Sequence, residues 1–412
     1  MKKQTVQVLL QILCFLVLLT GGGGNVQAHA GLVDSSPKEG AILPQNPGQL
    51  SFAFTEVLEA DLVEIHLYDW NGEEVKLERP KLQPGDATRV QVPLPKLAEG
   101  TYTAIVKVVS EDGHPVEERL TFSLGYESAS VAEPSSQKAD PTYLILCRFL
   151  TQGIILVGGG LYLVSWRAQG YGLPSFSQTL GVGRRIGWLL MFIGLLSLWF
   201  LYDASLPAAS LTDALWQGND TLFLQSPFAV MLLASGMLLV LMAIPGMMTG
   251  WYAVIWAILI STQAFGGHAW GLTPVWLALL LRVLHVWSIS LWLGAIAYLL
   301  LNRQEAKRGD AAFKRFFLRL VAAAALFSLL TGVLMLGVQT DLGSMLDSWL
   351  IWNNLLVTKL VLVFLMLIMA YQQRRSWLQK QVLQGSRLRW EVIFGILAIF
   401  AGLWMSQMPY PG

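Results

Sequence analysis

The chain has 412 residues, of which 54% are hydrophobic and only 13% are charged, and its mean hydropathy is +0.52. Soluble domains average about 25% charged residues, so the composition excludes a fully soluble protein. The net charge of +1 gives no polybasic surface for nucleic acid, which we do not expect as a partner. The two cysteines, Cys14 and Cys147, exclude a cysteine-rich metal site.

The N-terminus has the pattern of a secretory signal peptide. Lys2 and Lys3 precede an apolar stretch, Val6 to Leu19, and small or aliphatic residues stand before a cleavage point after Ala28. A retained membrane helix is the alternative, but the stretch is shorter than the roughly 17–25 residues needed to span. The pattern therefore predicts a signal peptide over 1–28 and a mature chain that begins at His29.

Residues 29–126 read as a soluble β domain. Apolar and polar residues alternate with the period of half-buried strands in five segments, at 49–56, 62–68, 88–94, 101–109 and 118–124. Turn dipeptides such as Asn71-Gly72 and Asp112-Gly113 separate these segments. We expect a small antiparallel β-sandwich, joined by a polar linker over 127–140 to a membrane domain over 141–412.

The membrane domain reads as an all-α bundle of eight transmembrane helices. The apolar segments are 143–165, 186–206, 226–246, 250–266, 275–301, 320–340, 354–371 and 390–407. The loops 166–185, 302–319 and 372–389 carry fourteen Lys and Arg residues, whereas the intervening loops carry none. The positive-inside rule makes the basic side cytoplasmic, so we expect a multi-pass protein of the cell membrane with the β domain and the C-terminus outside.

Three residues of the β domain form a candidate metal site. A chain that starts at His29 offers a free α-amine and an imidazole, while Asp112 and His114 add a carboxylate and a second imidazole. Three nitrogens and one oxygen suit square-planar Cu(II), and the amine must lose its proton to bind. Taken singly, each part is more often a solvated terminus or an ordinary turn. His66 is interpreted as a strand-surface residue.

These residues resemble the copper-resistance family CopC, and the membrane domain resembles its partner family CopD. The matching pieces of the β domain are His29-Ala30, Ser36-Pro37-Lys38-Glu39-Gly40, Phe54-Thr55-Glu56, Asp112-Gly113-His114-Pro115-Val116 and Phe122. Those of the membrane domain are Gly267-His268-Ala269, Leu284-His285, Leu291-Trp292-Leu293-Gly294, Thr358-Lys359-Leu360 and Glu391. The order of the pieces resembles a CopC–CopD fusion.

The resemblance implies a cupredoxin-like or Ig-like β fold that binds one Cu(II) through His29, Asp112 and His114. It also implies copper import by the membrane domain. Some CopC proteins carry a Met-rich Cu(I) site, but residues 29–140 contain no Met, so we expect only the Cu(II) site in the β domain. Besides copper and the lipid bilayer, the resemblance identifies no protein partner.

Within the membrane domain, four residues are candidate copper ligands: His268, His285, Met405 and Met408. His285 falls near mid-bilayer, where an ionisable residue is a functional candidate by default, although a packing or hydrogen-bonding role is the alternative. The two methionines offer soft ligands for Cu(I), although Met in helices mostly packs. Three cations, Arg148, Arg282 and Lys359, either line a path, snorkel to the headgroups or pair with Asp203.

Three functions remain open at this stage. The first is copper acquisition, in which the outer domain captures Cu(II) and the membrane domain imports copper, without enzymatic activity. The second is an extracellular sensor or scavenger without transport. The third is a membrane copper or haem redox enzyme, which is disfavoured because a carboxylate completes the copper plane and only His285 is deep enough for a haem.

Overall fold

The computed structural model describes residues 31–110, 115–128, 141–207, 210–218, 226–267, 269–270, 272, 274–340 and 351–406. The described strands lie between Leu32 and Leu124, and the first described helix begins at Pro141. The predicted signal peptide and most of the predicted linker lie outside the described residues.

Nine strands form two sheets that pack as a sandwich, which confirms the predicted fold class. The strands are β1 (Leu32–Ser36), β2 (Ala41–Leu43), β3 (Gln49–Phe54), β4 (Leu58–Tyr68), β5 (Glu74–Val75), β6 (Lys81–Gln83), β7 (Asp86–Pro93), β8 (Gly100–Ser110) and β9 (Pro115–Leu124). One sheet has the order β1-β3-β7-β6 and the other β2-β9-β8-β4-β5. All neighbours pair antiparallel except β2 and β9, which are parallel.

The sandwich core is built from the alternating inward residues of both sheets. Phe52, Leu67 and Phe122 are fully buried in it, and the Phe122 ring stacks on Tyr102 at 5.7 Å between centroids. The four strands that the sequence analysis did not predict, β1, β2, β5 and β6, have only two to five residues. Such short strands show too few alternations to be recognised from a period-2 pattern.

Eleven α-helices follow within the described part of the chain. They are α1 (Pro141–Ala168), α2 (Phe176–Leu180), α3 (Gly183–Asp203), α4 (Leu211–Gln217), α5 (Pro227–Met242), α6 (Thr249–Thr262), α7 (Val275–Leu301), α8 (Arg303–Arg308), α9 (Ala311–Gln339), α10 (Ile351–Lys380) and α11 (Gly385–Met405). Each of the eight predicted segments falls on one of them. Helices α9 and α10 extend beyond the predicted apolar segments because their charged ends are rich in good helix formers such as Lys, Arg and Gln.

Six of these helices are long and apolar enough to cross a membrane: α1, α3, α7, α9, α10 and α11. The other two predicted spans, α5 and α6, have 16 and 14 residues, or about 24 and 21 Å at 1.5 Å per residue. The hydrocarbon core is about 30 Å thick. The helical bundle is thus confirmed, whereas the crossing of α5 and α6 stays a prediction.

Helices α1 and α7 make the closest helix contact that the structure describes. A Cβ atom built on Gly160 would lie 1.8 Å from the Ser290 carbonyl oxygen, and one built on Gly294 would lie 2.1 Å from the Gly160 carbonyl carbon. Only glycine allows two backbones to approach this closely, which is how small residues bring membrane helices together. This crossing fixes α1 against the helix that carries His285.

Candidate functional site

The N-terminal end of β1 is tied to the connection between β3 and β4. The Gly31 N–H donates to the Thr55 hydroxyl at 2.9 Å, and the Thr55 N–H donates to the Gly31 carbonyl at 3.0 Å. Leu32 pairs with Phe54 in the sheet. Gly31 is two residues beyond His29, which lies outside the described residues, so Thr55 anchors the strand that leads away from the predicted N-terminal ligand.

The ends of β8 and β9 lie at the same end of the sandwich. Ser110, the last residue of β8, pairs with Leu58, which follows Thr55 by three residues. Val109 pairs with Pro115 across the hairpin. Ser110 and Pro115 flank residues 111–114, which include the predicted ligands Asp112 and His114 and are outside the described part. The described residues nearest to all three predicted ligands therefore meet at one end of the fold.

The Ser36–Gly40 stretch of the family motif has a structural role. The Glu39 carboxylate accepts the Thr121 N–H at 2.9 Å, and the Gly40 N–H donates to the Thr121 carbonyl at 2.7 Å, so this turn is fastened to β9. Asp34 forms a hydrogen-bonded ion pair with Lys38, which holds the pKa of the exposed Asp34 carboxyl below its ordinary value. These contacts brace β1 without supplying a metal ligand.

One face of this sandwich end packs against the helices. Val63 and Val108 pair with each other and point into the sandwich core. Their neighbours Leu62 and Val109 point to the opposite face, because successive strand residues alternate. Leu62 and Val109 are nevertheless fully buried, in one cluster with helical residues. That cluster includes Tyr202 at the end of α3, Leu211 at the start of α4 and Phe228 at the start of α5.

The contact occurs at one particular end of the helical bundle. The end of α3 and the start of α5 lie opposite the basic loops 166–185, 302–319 and 372–389, which follow α1, α7 and α10. The β-sandwich and the basic loops are therefore at opposite ends of the bundle. The sequence analysis missed this interface. Its sequence signal is a pair of adjacent apolar residues in each strand, Leu62-Val63 and Val108-Val109, which breaks the alternation of apolar and polar residues.

His66 occupies a different part of the sandwich, on β4. Its Nδ1 lies 2.5 Å from Glu74 Oε1, and its Nε2 lies 3.0 Å from Glu64 Oε1. The position on the strand surface agrees with the sequence interpretation. No group of three His, Cys, Asp or Glu residues able to hold a metal occurs in the described part of the chain.

His285 lies inside the bundle and is 9% exposed. It is ten residues from the start of α7, or about 15 Å from the end next to the sandwich. Its Nδ1 is 2.9 Å from the Thr331 hydroxyl oxygen, whose own proton points to the Phe327 carbonyl at 2.6 Å. A hydroxyl has one proton to donate, so Nδ1–H must be the donor to Thr331.

This hydrogen bond fixes the tautomer of a neutral His285 imidazole. With the proton on Nδ1, the lone pair is on Nε2. The ring lies against α9, close to the Ser328 backbone and to Gly332, where an added Cβ would be 3.4 Å from the His285 Cε1 atom. A ring held by its Nδ1–H, with the lone pair on Nε2, is the usual arrangement of a metal-binding histidine.

Met405, the other described candidate of the membrane domain, is 9% exposed and packs with Trp352, Leu355 and Ala401. Leu336 of α9 packs against the same cluster. It is one turn beyond Gly332, which contacts His285. Helix α9 thus contacts His285 at Gly332 and the cluster that contains Met405 at Leu336. His268 and Met408 lie outside the described residues.

Two of the three cations of the membrane domain, Arg282 and Lys359, lie near each other and near His285. The Arg148 guanidinium is 3% exposed and lies 4.5 Å from the centre of the Phe228 ring. Arg282 donates to the Gly266 carbonyl at 2.5 Å, and a Cβ on Gly402 would be 3.3 Å from Lys359 Nζ.

Asp203 does not pair with any of these cations among the described residues. Its carboxylate accepts the Leu211 N–H at 2.6 Å and the Thr212 hydroxyl at 2.8 Å. It thereby closes the turn between α3 and α4.

Buried polar groups also cluster near the basic end of the bundle. Glu391 is 2% exposed and forms no ion pair with any described residue. Its carboxyl group lies beside the Trp292 indole, and both polar atoms of the buried Gln373 amide make no hydrogen bond with any described residue. The sequence analysis named Glu391 and Trp292 only as family pieces. It missed Gln373, because this residue falls in the polar run 372–375, which was assigned to a basic loop.

Comparisons with known proteins match both parts of the chain. Residues 32–125 match the family model of the CopC domain. Copper transport protein CutJ of Bacillus subtilis (strain 168) is 25% identical over 430 residues, which cover 97% of this chain and 77% of CutJ. Protein YobA of Escherichia coli (strain K12) is 32% identical over 101 residues, or 24% of this chain and 82% of YobA.

Among solved structures, the CopC of Methylosinus trichosporium OB3b is 28% identical and covers 25% of this chain and all of its own, with a TM-score of 0.23. The shorter relatives match about a quarter of the chain, whereas the match to CutJ continues through the helices. The chain belongs to the CopC family, as a CopC–CopD fusion in which a CopC domain precedes a bundle of apolar helices.

Proposed function

We propose that the β-sandwich captures Cu(II) outside the cell and that the helical bundle carries copper inward. One observation carries this proposal. The sandwich end whose strands flank the predicted ligands is also the end that is buried, through Leu62 and Val109, against the helices. A metal captured there would be released next to the bundle rather than into solution.

The donor set favours copper in its oxidised form. The α-amine and imidazole of His29 and the imidazole of His114, with the carboxylate of Asp112, supply three nitrogens and one oxygen, which suits tetragonal Cu(II). Consecutive Cα atoms are 3.8 Å apart, so chain connectivity keeps each predicted ligand within about 11 Å of Gly31, Val109 or Pro115. These described residues meet at one end of the fold, which supports a shared site.

Inside the bundle, two side chains support a path for copper. The Met405 thioether is a soft ligand that suits Cu(I), and the His285 imidazole suits copper in general. His285 contacts α9 at Gly332, and the cluster that contains Met405 contacts α9 one turn away, at Leu336. The name of CutJ, a copper transport protein, supports transport in preference to catalysis.

Cu(II) binding tests the capture step. A single Gly inserted between Ala28 and His29 moves the freed amine away from the predicted site. We expect the EPR spectrum of the Cu(II)-loaded protein to change and the affinity to fall by orders of magnitude, since the chelate of amine and imidazole is lost. The His66→Ala variant is the matched control and should keep the native spectrum. An unchanged spectrum and affinity in the extended protein would contradict the proposed ligand set.

Copper accumulation by cells tests the transport step. Cells that produce the chain should accumulate more copper than cells without it, most clearly at low external copper. The His114→Ala variant should lose this gain at low copper and recover it at high copper, because capture is weakened but the path is intact. Cu(II) binding without any gain in cellular copper would favour the sensor or scavenger function instead.

A further inference from the structure

A groove in the helical bundle is the strongest feature that the proposed function does not use. Its volume is about 1120 Å³, and residues of α1, α2, α3, α5, α6 and α11 line it. It is slightly larger than the roughly 300–1,000 Å³ of most small-molecule pockets. Its walls include Val157, Trp188, Trp256 and Ile396. It lies apart from His285, Met405 and the sandwich, none of which lines it.

The length of the groove matches one leaflet of a bilayer. Its α1 wall runs from Phe149 to Tyr162, thirteen residues or about 20 Å. One leaflet contributes about half of the roughly 30 Å hydrocarbon core. A single lipid molecule, with its acyl chain along the groove and its headgroup at one end, therefore fits these dimensions.

Glycines keep the middle of the groove open. Gly153 of α1 and Gly187 of α3 line it, and a Cβ atom built on either would meet nothing within 4 Å. Two aromatic polar groups of the wall are already hydrogen-bonded: the Tyr162 hydroxyl donates to the Thr249 carbonyl and the Trp188 indole to the Leu239 carbonyl, each at 2.9 Å. The interior of the groove thus presents apolar surface to its occupant.

One end of the groove is positively charged. Arg184 and Arg185 line the groove at the start of α3. Both are exposed, and their side chains form no hydrogen bond or ion pair with any described residue. Basic residues between membrane helices at the cytoplasmic side bind anionic headgroups. We propose that this groove is a binding site for an anionic phospholipid of the leaflet next to the basic loops.

Lipid binding to the full chain tests this proposal. The purified protein in detergent is titrated with phosphatidylglycerol or phosphatidylcholine, and the retained lipid is counted by native mass spectrometry. Each basic residue near a charged lipid contributes a factor of about five, so we expect one phosphatidylglycerol to be retained at roughly 25-fold lower concentration than phosphatidylcholine. The Arg184→Gln/Arg185→Gln protein should lose this preference.

Two further variants separate the apolar groove from the charge. Gly153→Leu and Gly187→Leu fill the groove without changing any charge and should each abolish retention of phosphatidylglycerol. The matched controls are Gly337→Leu, where a Cβ also meets nothing within 4 Å, and Arg374→Gln/Arg375→Gln, a basic pair outside the groove. Thermal unfolding verifies that each variant is folded. Equal retention of the two lipids, or native retention in the arginine variant or in both folded groove-filling variants, would overturn the proposal.

Discussion

His285 differs from a packing residue in the way its ring is held. The Thr331 hydroxyl donates its one proton to the Phe327 carbonyl. It can therefore only accept a hydrogen bond from the imidazole Nδ1–H, and Nε2 keeps its lone pair. Nε2 carries the lone pair with which the ring could bind a passing copper ion.

Replacing His285 by Leu should abolish copper accumulation and preserve membrane insertion, because Leu is favourable in a span. Thr331→Val should give a partial loss, since the ring then lacks the acceptor that fixes its tautomer. Ser288→Ala, one turn away on α7, is the control and should be neutral. The measurement is cellular copper at low and high external concentrations, at matched protein levels. Normal accumulation by His285→Leu at both concentrations would remove His285 from the path.

Glu391 is a buried acidic residue without a basic partner among the described residues. A buried carboxyl group that lacks a basic partner destabilises the fold, so its presence favours a functional role over a structural one. Replacing Glu391 by Gln keeps its shape and removes the ionisable carboxyl group. We expect copper accumulation to fall while the thermal stability of the protein is unchanged or higher.

Glu305→Gln, at an exposed site on α8 near the same end of the bundle, is the control for a general change of charge. Parallel losses of stability and accumulation in Glu391→Gln would instead assign Glu391 a structural role.

At the scale of elements, β8 shows what a strand pattern can and cannot predict. The alternation over 101–109 predicted the strand, and the structure extends it to Gly100–Ser110. The adjacent Val108 and Val109 place one side chain on each face, so burial of both faces was already implied. The sequence did not indicate that the helices cover the second face, because packing between distant elements leaves no local sequence signal.

The contact of the sandwich with the helices can be broken without damaging the sandwich core. Leu62 lies outside the core cluster, so Leu62→Glu should leave the sandwich folded and its Cu(II) spectrum unchanged. Opening the contact would release the capture end from the bundle. We therefore expect a several-fold loss of copper accumulation at low external copper, since truncating a buried apolar contact of this size costs about 2–5 kcal/mol, and recovery at high copper.

Ile42→Glu provides the comparison for Leu62→Glu. Ile42 is an apolar residue of the same sandwich but is 54% exposed, so the added charge faces water. It should accumulate copper like the native chain. If Leu62→Glu also behaved like the native chain at low copper, direct transfer across this contact would be excluded.

At the scale of the whole molecule, the sequence predicted the candidate site less completely than the fold. Period-2 strands and long apolar runs are local patterns, so the order of sandwich and bundle followed directly from them. The role of Thr55 in anchoring Gly31 required the sheet register, since the two residues are 24 positions apart. The pairing of His285 with Thr331 spans 46 positions, and no spacing rule links them.

The number of crossings is the remaining question of topology, and it depends on α5 and α6. These helices are shorter than the six long ones. The connection between them, residues 243–248, carries no Lys or Arg, so the positive-inside rule does not assign it to either side of the membrane. If both helices cross, this connection is cytoplasmic; if neither does, it stays outside. The C-terminus is expected on the same side as the β domain in either case, because six and eight are both even.

Two reporter fusions distinguish these topologies. A reporter active only in the cytoplasm should be silent after Gly412 and active when inserted between Gly246 and Met247. We expect this pattern because about 21–24 Å of helix can span with modest local thinning of the bilayer. Activity after Gly412 would mean that an odd number of helices crosses. Silence at both positions, at normal protein levels, would leave six crossings, with α5 and α6 forming a pair that enters the membrane from outside and returns.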